Sequence, residues 1–370
     1  MRIAHVTDVY LPRLGGVELQ VRDLATRQAT AGHTPFVITA TPGGDPDTAI
    51  PAVRLGAPGV GPYRAIRDQD LCRVLREHRA DAVHAHVSAF SPLAWSAARL
   101  AGVHGVPTVV SVHSMWHDVI PVMRWYARRR GAARWPVDWA AVSTAAAAAV
   151  REALDGTPVA VLPNGIDPAA WLAPPAPRDG VPTVVSVMRM VRRKRPRPLL
   201  RVLAALRHAH PGRFRAILVG DGPLLPRLRA DVAAAGLAGQ VRLTGALPRH
   251  DIRALLAAAD LYVAPAHRES FGIAALEARC AGLPVVARRG SGVADFVEHG
   301  VDGWLVGSDA ELISTVSGLL TAPGPLAEVA RHNRAVVPRL HWDGVLAAAE
   351  TRYAAAACLQ EATRAPVVTA

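Results

Sequence analysis

Two glutamates separated by seven residues frame a glycine turn in the second half of the chain. In LYVAPAHRESFGIAALEARC, a predicted strand ends at Pro265, a loop carries Glu269, and a helix begins near Gly272 and presents Glu277 in its second turn. The first amides of a helix lack intrahelical acceptors and lie at its positive end, so they form an anion site suited to a diphosphate. Carboxylates beside such a site repel phosphate, but they accept hydrogen bonds from sugar or ribose hydroxyls. The alternative is that Glu269 is a loop residue or cap and that Glu277 is a solvated helix residue.

The segment around these glutamates resembles the E-x7-E region of the retaining GT-B glycosyltransferases of family 4. In that family the two glutamates bracket an F-G-[FILMV] turn, which is followed by G-x-P-V-V-A and then by G-x-x-D-x-V-x-x-G-x-x-G-x-L-V. The corresponding pieces here are AGLPVVAR and GVADFVEHGVDGWLV. The resemblance implies that Glu277 binds the ribose hydroxyls of the donor nucleotide. It also implies that the transferred sugar and the diphosphate are held by Glu269 and the backbone of Ser270, Phe271, Gly272 and Ile273.

The chain contains a single lysine, Lys194, in the stretch VMRMVRRKRP. This stretch resembles the family pattern V-G-R-L-x-x-x-K-G, which implies that Arg189 and Lys194 neutralise the donor diphosphate. A compact ammonium on a flexible stem can follow charge that builds on a leaving diphosphate, whereas arginine imposes a planar fork. Met188 and Arg195 replace the family's usual glycines, which leaves the path of this loop open. The alternative is that one lysine persists by chance in an arginine-rich composition.

Several features of the first half of the chain match the same family. In LPRLGGVELQ, Gly15 and Gly16 open a predicted helix, where the family places the donor diphosphate and sugar; an ordinary strand-to-helix turn is the alternative. In PTVVSVHS, His113 follows a strand and matches the family's active-site histidine near the sugar. His84 and His86, in VHAH, are assigned to opposite faces of a strand, with one in the core and His86 facing the cleft.

Short β-branched runs alternate with alanine- and leucine-rich helical stretches, which is typical of parallel α/β layers. The alternation breaks near residue 172, at LAPPAPRDGVP, and then restarts. We therefore predict an α/β protein with two Rossmann-like domains that face each other across a cleft (GT-B), with ligands at the carboxyl ends of the strands. The predicted boundaries are 1–171 for an acceptor domain, 172–181 for a linker and 182–340 for a donor domain, with a C-terminal helix at about 341–370 as a candidate to pack back onto the first domain. The predicted strands are 2–7, 35–40, 81–86, 107–112, 139–143, 159–163, 183–188, 215–220, 241–245, 261–265 and 284–288.

The composition is that of a globular chain with a basic surplus. Its 370 residues are more than one hydrophobic core usually supports, and the formal net charge is +12. No long apolar run and no signal peptide are evident, so we expect a cytoplasmic protein with reduced cysteines. The charge is compatible with nucleic acid, an anionic membrane surface or a phosphorylated substrate. Asp45 and Asp47 have the D-x-D spacing of a metal site, but we interpret them as a turn and expect no catalytic metal, since Arg189, Lys194 and a helix terminus already supply positive charge.

The resemblance implies a retaining hexosyltransferase that needs no metal and no cofactor beyond a UDP- or GDP-linked sugar donor. In the family's usual mechanism the leaving phosphate takes the proton of the acceptor hydroxyl, while Glu269 and His113 position an oxocarbenium-like sugar. Two alternatives stay open: a nucleotide-sugar epimerase or hydrolase on the same scaffold, and a non-catalytic membrane or nucleic-acid binder, which leaves the glutamate pair unexplained. We expect an unidentified lipid-linked or natural-product acceptor and no nucleic-acid partner. The mixed apolar and basic stretch 119–136 predicts peripheral binding to the inner face of an anionic membrane. The alternative is a solvated basic helix whose aromatic side chains are buried against the domain.

Overall fold

The computed structural model describes residues 1–13, 15–44, 49–57, 59, 61–174 and 179–364. The chain divides into two compact units, Met1–Gly165 with Trp342–Ala370, and Ile166–His341. The predicted boundary between 171 and 172 therefore falls inside the second unit, and part of the predicted linker, 175–178, lies outside the described residues. Among the helices in the described ranges, none combines the length and the apolar character that a membrane crossing requires.

The first unit alternates strands and helices around one parallel sheet. Its elements up to residue 161 are β1 (Arg2–Thr7), α1 (Gly16–Thr30), β2 (Thr34–Thr39), β3 (Ala52–Arg54), α2 (Asp68–Glu77), β4 (Ala82–Val87), α3 (Pro92–Val103), β5 (Thr108–Val112), α4 (Ile120–Arg130), β6 (Asp138–Ala141), α5 (Thr144–Ala153) and β7 (Ala160–Val161). The strand order is β3-β2-β1-β4-β5-β6-β7, with parallel pairing throughout. Every residue of β4 and β5 is buried because helices cover both faces of a parallel sheet. The carboxyl ends of β1, β4 and β5 therefore meet at one edge, where His113 follows β5.

The second unit repeats this arrangement. Its elements are β8 (Thr183–Val187), α6 (Pro196–Ala209), β9 (Arg215–Val219), α7 (Leu225–Ala234), β10 (Val241–Gly245), α8 (Arg249–Ala258), β11 (Leu261–Ala264), α9 (Ile273–Cys280), β12 (Val285–Arg288), β13 (Gly303–Val306), α10 (Asp309–Thr321) and α11 (Pro323–Ala335). The strand order is β10-β9-β8-β11-β12-β13, again parallel. The loops after β8 and β11 leave the same edge of the sheet from adjacent strands. The predicted pair of parallel α/β domains is confirmed.

The last helix of the described residues, α12 (Trp342–Arg364), belongs to the first unit although it follows the second in sequence. It buries one stripe at helical spacing against β1, β4, β5, β6 and α1. The stripe consists of Trp342, Val345, Ala349, Tyr353 and Ala356. This packing brings the phenol of Tyr353 under the first sheet, where it contacts the buried histidines described below.

Candidate active site

Lys194 and Glu269 form an ion pair at the carboxyl edge of the second sheet. Lys194 follows β8 and Glu269 follows β11, and these strands are paired in the sheet. The ammonium Nζ contacts the carboxylate Oε2 directly, and the two side chains are only 20% and 16% exposed. The structure thus brings together two residues that are 75 positions apart and that the sequence motifs assign separately to the diphosphate and to the sugar.

The start of α9 lies beside this ion pair. Gly272 precedes the helix with φ of +97°, a conformation that favours glycine, and a Cβ at this position would come within 2.6 Å of Val293. The carbonyl of Glu269 accepts a hydrogen bond of 2.8 Å from the amide of Gly292, which ties the loop down. Within the described residues, the amides of Phe271, Gly272 and Ile273 make no hydrogen bond to protein acceptors. These open donors lie at the positive end of the helix, as the predicted anion site requires, and anion binding there stays a prediction.

Glu277 lies one turn inside α9 and is partly buried. Burial raises the pKa of its carboxyl group to about 7, and the positive charge of Arg249 opposes this shift. Tyr262 on β11 lies near both glutamates: burial raises the pKa of its phenol, and the charges of Glu277 and Glu269 add to the effect. Its hydroxyl donates to the carbonyl of Val187 at 3.1 Å, which links the second residue of β11 to the end of β8. A carboxylate that titrates near neutrality is suited to hydrogen bonds with a polyhydroxy ligand.

Backbone hydrogen bonds position the loop that carries Arg189. The amide of Met188 donates to the carbonyl of Val219 at 2.9 Å, so the loops after β8 and β9 run side by side. Gly220 permits this approach: its φ is +129°, and a Cβ there would lie 1.9 Å from the carbonyl oxygen of Met188. Met188 itself is 9% exposed and joins the core of the unit, whereas Arg189 is exposed. The methionine that replaces the family's glycine therefore points inward, and the Arg189 side chain is exposed at the edge.

Arg195, the second departure from the family pattern, keeps the backbone that a glycine would use. Its φ is +61°, in the left-handed region. The guanidinium is held by Asp309 at 3.0 and 2.7 Å, and the buried Arg288 contacts the same carboxylate. This ion-pair cluster fixes the residue next to Lys194. The loop therefore keeps the left-handed conformation that the family's glycine would allow, and the ion pair with Asp309 holds Arg195 in it.

In the first unit, Gly15 and Gly16 stand at the start of α1, as predicted. Gly15 is the N-cap, and a Cβ there would come within 2.4 Å of the Oε2 of Glu18. Glu18 is 4% exposed and lies in the first turn of the helix, where the helix dipole favours a negative charge. Gly15, Gly16 and His113 belong to the first unit, and Arg189, Lys194, Glu269 to Ile273 and Glu277 belong to the second.

His84 and His86 do not lie on opposite faces of their strand, so that prediction is wrong. Residues two apart on a strand share a face, and the two rings stack with centroids 4.2 Å apart. Both are buried, together with His5 on the neighbouring strand β1. Ring nitrogens of these three histidines lie within 4.8 Å of one another, a spacing that would suit a metal ion. Each of these nitrogens, however, already has a hydrogen-bond partner in the protein.

These buried imidazoles should make the first unit sensitive to acid. Burial lowers the pKa of His5 and of His113 to about 4, and burial with repulsion between the rings lowers the pKa of His84 and His86 well below 6.5. An unfolded histidine takes up a proton near pH 6.5, so the unfolded state binds more protons between these values and stability falls as the pH falls. The raised carboxyl pKa of Asp8, about 6, acts in the opposite direction, as does that of Asp138.

Four imidazoles outweigh two carboxyl groups, so we expect the Tm of the first unit to fall by roughly 5 °C or more from pH 7 to pH 5. Thermal unfolding followed by tryptophan fluorescence would measure this, because Trp95, Trp116, Trp125, Trp135, Trp139 and Trp342 belong to the first unit. A Tm that stays level or rises over this interval would show that the carboxyl groups dominate.

The basic stretch 119–136 forms α4 and the turn after it, and its side chains have two different environments. Val122 and Trp125 are 63% and 65% exposed. Trp135 and Tyr126 instead pack edge-on against Trp95, with centroid distances of 5.8 and 5.3 Å. Two of the arginines are also engaged: Arg124 pairs with Glu152, and Arg128 pairs with Asp155.

Asp45 and Asp47 lie outside the described residues.

Several residues that shape the two edges were not found from the sequence. The buried carboxylate of Asp8 accepts hydrogen bonds of 3.0 and 3.2 Å from the first amides of α3, and Asp309 holds Arg195. Gln28 and Tyr353 contact the buried histidines. Asp8 could have been found from the sequence, because it is a charged residue inside an apolar run. No local pattern marks Gln28 or Tyr353, because their partners are distant in sequence.

Comparison with known proteins places these features in a family. The Glycosyltransferase Family 4 model matches residues 14–170, and the Glycosyl transferases group 1 model matches residues 170–334. A 2-deoxystreptamine glucosyltransferase of Streptomyces kanamyceticus is 32% identical over 64% of this chain and 67% of its own length. A GDP-mannose-dependent alpha-(1-6)-phosphatidylinositol dimannoside mannosyltransferase of Mycobacterium tuberculosis is 30% identical over 80% of this chain and 82% of its own length.

Solved structures agree with this assignment. The crystal structure of Anabaena HepE in complex with UDP and glucose has a TM-score of 0.76 and 22% sequence identity, and the match covers 95% of this chain and 99% of that one. At this identity the likeness shows the fold. With two parallel α/β units, both family models and these relatives, the chain belongs to glycosyltransferase family 4, the glycosyl transferases group 1, and has the GT-B fold.

Proposed function

We propose that this glycosyltransferase moves a hexose from a UDP- or GDP-linked sugar to an acceptor hydroxyl, with retention of configuration at the anomeric carbon. The observation that carries the proposal is the Lys194–Glu269 ion pair beside the open amides at the start of α9. A cation and helix amides suit a diphosphate, and a carboxylate suits sugar hydroxyls. The carboxyl edge of the second sheet thus carries groups that can bind both the diphosphate and the sugar of a nucleotide-sugar donor.

In the proposed reaction the bond between the anomeric carbon and the diphosphate oxygen breaks, and a bond from that carbon to the acceptor oxygen forms on the same face. The acceptor proton passes to the leaving phosphate. Lys194, Arg189 and the amides of Phe271 to Ile273 stabilise the charge that develops on the diphosphate. We propose that this positive charge makes a catalytic metal unnecessary and that no cofactor is needed besides the donor.

The remaining roles concern the position of the donor. We propose that Glu269, together with Ser270, orients the transferred sugar and that Glu277 accepts hydrogen bonds from the ribose hydroxyls. His113 is assigned to the sugar, and Gly15 with Gly16 to the diphosphate, on the basis of their family motifs. The names of relatives support a sugar nucleotide donor: one relative is GDP-mannose-dependent, and a structural relative is bound to UDP and glucose.

A donor screen tests the proposal. Thermal shift with UDP-glucose and GDP-mannose identifies the donor, because a ligand that binds the folded state raises its Tm. Donor turnover is then measured in the presence of EDTA, with and without a panel of lipid-linked and small polyol acceptors. We expect acceptor-dependent release of nucleoside diphosphate and an α-linked product from an α-linked donor. Acceptor-independent release of free sugar or an epimerised donor would favour the alternative enzymes, and a β-linked product would contradict retention.

Glu277 gives a prediction about pH. Because burial places the pKa of this carboxyl group at about 7, we expect kcat/KM for the donor to rise as the pH increases through 7, when the group ionises and can accept from both ribose hydroxyls. Glu277→Gln should remove this inflection and raise the donor KM by about 10-fold, since charge-assisted hydrogen bonds are lost. The exposed Glu298→Gln is the matched control and should keep the inflection. An inflection that persists in Glu277→Gln would assign it to another group.

We also propose that the enzyme works at an anionic membrane surface and that α4 makes the contact. Val122, Trp125 and Arg129 are exposed and lie three and four residues apart, on one face of the helix. Exposed apolar side chains beside basic ones are the composition of an interfacial helix. Since Arg124 and Arg128 are already paired with carboxylates, the attraction to lipid rests on the other arginines of the stretch, at roughly 1 kcal/mol each.

Flotation with vesicles tests the membrane proposal. We expect binding to vesicles that contain anionic phospholipid, weaker binding to neutral vesicles, and release as salt is raised. Val122→Ser with Trp125→Ser should abolish binding. Val103→Ser, which changes a valine of similar exposure (66%) on α3, is the control and should bind as wild type does. Failure of the wild-type protein to float at low salt would favour a small soluble acceptor instead.

A further inference from the structure

The buried histidines of the first unit form a continuous hydrogen-bonded chain that ends at His113. The Nε2 of His5 lies 2.6 Å from the Oε1 of Gln28, and the Nδ1 of His5 lies 3.0 Å from the Nε2 of His86. The Nδ1 of His86 in turn lies 3.0 Å from the Nε2 of His113. We call Gln28, His5, His86 and His113 the histidine chain. Its open end is the Nδ1 of His113, for which the described residues provide no hydrogen-bond partner.

With the Gln28 amide oriented as in the structure, the number of protons in the histidine chain allows one arrangement. A neutral imidazole has one N–H and one acceptor nitrogen, and the low pKa values keep the rings neutral at pH 7. Because the Oε1 of Gln28 only accepts, the Nε2 of His5 carries a proton, and the Nδ1 of His5 accepts from the Nε2–H of His86. The Nδ1 of His86 then accepts from the Nε2–H of His113. The Nδ1 of His113 is left as a free acceptor.

Tyr353 is the second partner of the Gln28 amide. The Nε2 of Gln28 donates to the Tyr353 hydroxyl at 2.8 Å. The same hydroxyl lies 2.9 Å from the Nδ1 of His84, and the Nε2 of His84 lies 2.7 Å from the Oγ of Ser111. A phenol that accepts from Gln28 keeps its own proton for His84, so each contact in this branch has one proton. Gln28 and Tyr353 are 0% and 3% exposed, so water cannot replace either partner.

We propose that Gln28 and Tyr353 are positioning residues that hold His113 as its Nε2–H tautomer, with the Nδ1 lone pair presented to a hydroxyl of the transferred sugar. The identity of that hydroxyl rests on the proposed function. The tautomer matters because a histidine with its proton on Nδ1 could only donate at this position. The proposal also gives α12 a chemical role in addition to its packing, since it carries the phenol that accepts from the amide.

The direct test is a long-range 1H–15N correlation spectrum of the ligand-free protein labelled with 15N-histidine at pH 7, which distinguishes protonated from unprotonated ring nitrogens. The His113 signals are assigned by their loss in His113→Asn. We expect a proton on Nε2 and none on Nδ1. Gln28→Met removes the acceptor and should give mixed tautomers at His113, whereas Gln28→Glu keeps an acceptor and should preserve the wild-type pattern. Thr26→Ala, which changes an exposed threonine on the same helix as Gln28 and outside this hydrogen-bonded network, is the control and should leave His113 unchanged.

Kinetics add a second readout. Gln28→Met should lower kcat by about 10-fold or more with little change in donor KM, as expected when an imidazole loses the partner that fixes its tautomer. A proton on the Nδ1 of wild-type His113, an unchanged tautomer in Gln28→Met, or stoichiometric metal in the purified protein would overturn the proposal. If Gln28→Met does not fold, the wild-type spectrum decides.

The spectrum is recorded without substrate, so it separates this proposal from the proposed function. The expected tautomer in a protein that transfers no sugar would contradict the function and leave the role of Gln28 standing. Sugar transfer by a protein with Nδ1–H at His113 would support the function and contradict the proposed role of Gln28.

Discussion

Lys194→Ala is expected to lower kcat for sugar transfer by about 10²- to 10³-fold while the protein stays folded. The ammonium lies at the carboxyl edge of the second sheet and pairs with Glu269, so the substitution removes the charge that is proposed to stabilise the leaving diphosphate and removes little packing. Steady-state kinetics with the donor found by thermal shift would measure the loss. Arg193→Ala removes an exposed cation from the same turn and is the matched control, for which we expect less than about a twofold change.

Lys194→Arg distinguishes a catalytic role of the lysine from its persistence by chance in an arginine-rich chain. If a compact ammonium must follow the diphosphate as it leaves, the planar guanidinium should lower kcat more than it raises the donor KM. Arginine is abundant in this chain, so a lysine that persists by chance should be replaceable without loss. Equal activity of the wild-type and Lys194→Arg proteins would indicate that the lysine persists by chance. Near-normal turnover in Lys194→Ala would show that Lys194 has no role in the active site.

Glu269→Gln is expected to lower kcat by about 10²- to 10³-fold, for a reason that the ion pair makes specific. The amide keeps the size of the side chain but removes the charge that holds the Lys194 ammonium in the ligand-free protein and that is proposed to position the sugar. Circular dichroism and Tm should show an intact fold, because Glu269 lies on a loop and Lys194 at the end of a short 3-10 helix. Steady-state kinetics would again measure the loss.

A double-mutant cycle strengthens the Glu269 test. Since the two side chains touch, we expect the double variant Lys194→Ala, Glu269→Gln to lose less kcat than the product of the two single effects. Fully multiplicative losses would show that the residues act independently during transfer, and near-normal turnover of Glu269→Gln would exclude the proposed role of this carboxylate.

The strands that form the two sheets could be largely predicted from the sequence because buried parallel strands are continuous apolar runs. Two short edge strands, β3 (Ala52–Arg54) and β13 (Gly303–Val306), were missed. Each has only three or four residues and lies among glycines and prolines, so local patterning is weak. The C-terminal helix was a candidate to pack back onto the first domain, and α12 belongs to the first unit. Its apolar stripe alone does not identify the surface that it covers, because long-range packing determines that surface.

The candidate site was predictable where a motif is local and unpredictable where the partners are distant. Glu269, Gly272 and Glu277 lie within nine consecutive residues, so spacing and helix geometry predicted their arrangement. The ion pair between Asp309 and Arg195 joins residues 114 positions apart and could not be foreseen. The same holds for Gln28 and Tyr353. The error at His84 and His86 was one of strand geometry, since residues two apart share a face.

Isothermal titration calorimetry with UDP and with GDP tests the central claim most directly, because the nucleoside diphosphate is the part of the donor that Lys194 and the start of α9 are proposed to bind. We expect one of the two nucleotides to bind the wild-type protein at one site per chain, and Lys194→Ala to weaken that binding by about 10-fold or more, as loss of a charged hydrogen-bond partner predicts. Arg193→Ala should bind as tightly as wild type. Binding of neither nucleotide, or equal affinity in Lys194→Ala and wild type, would contradict the account.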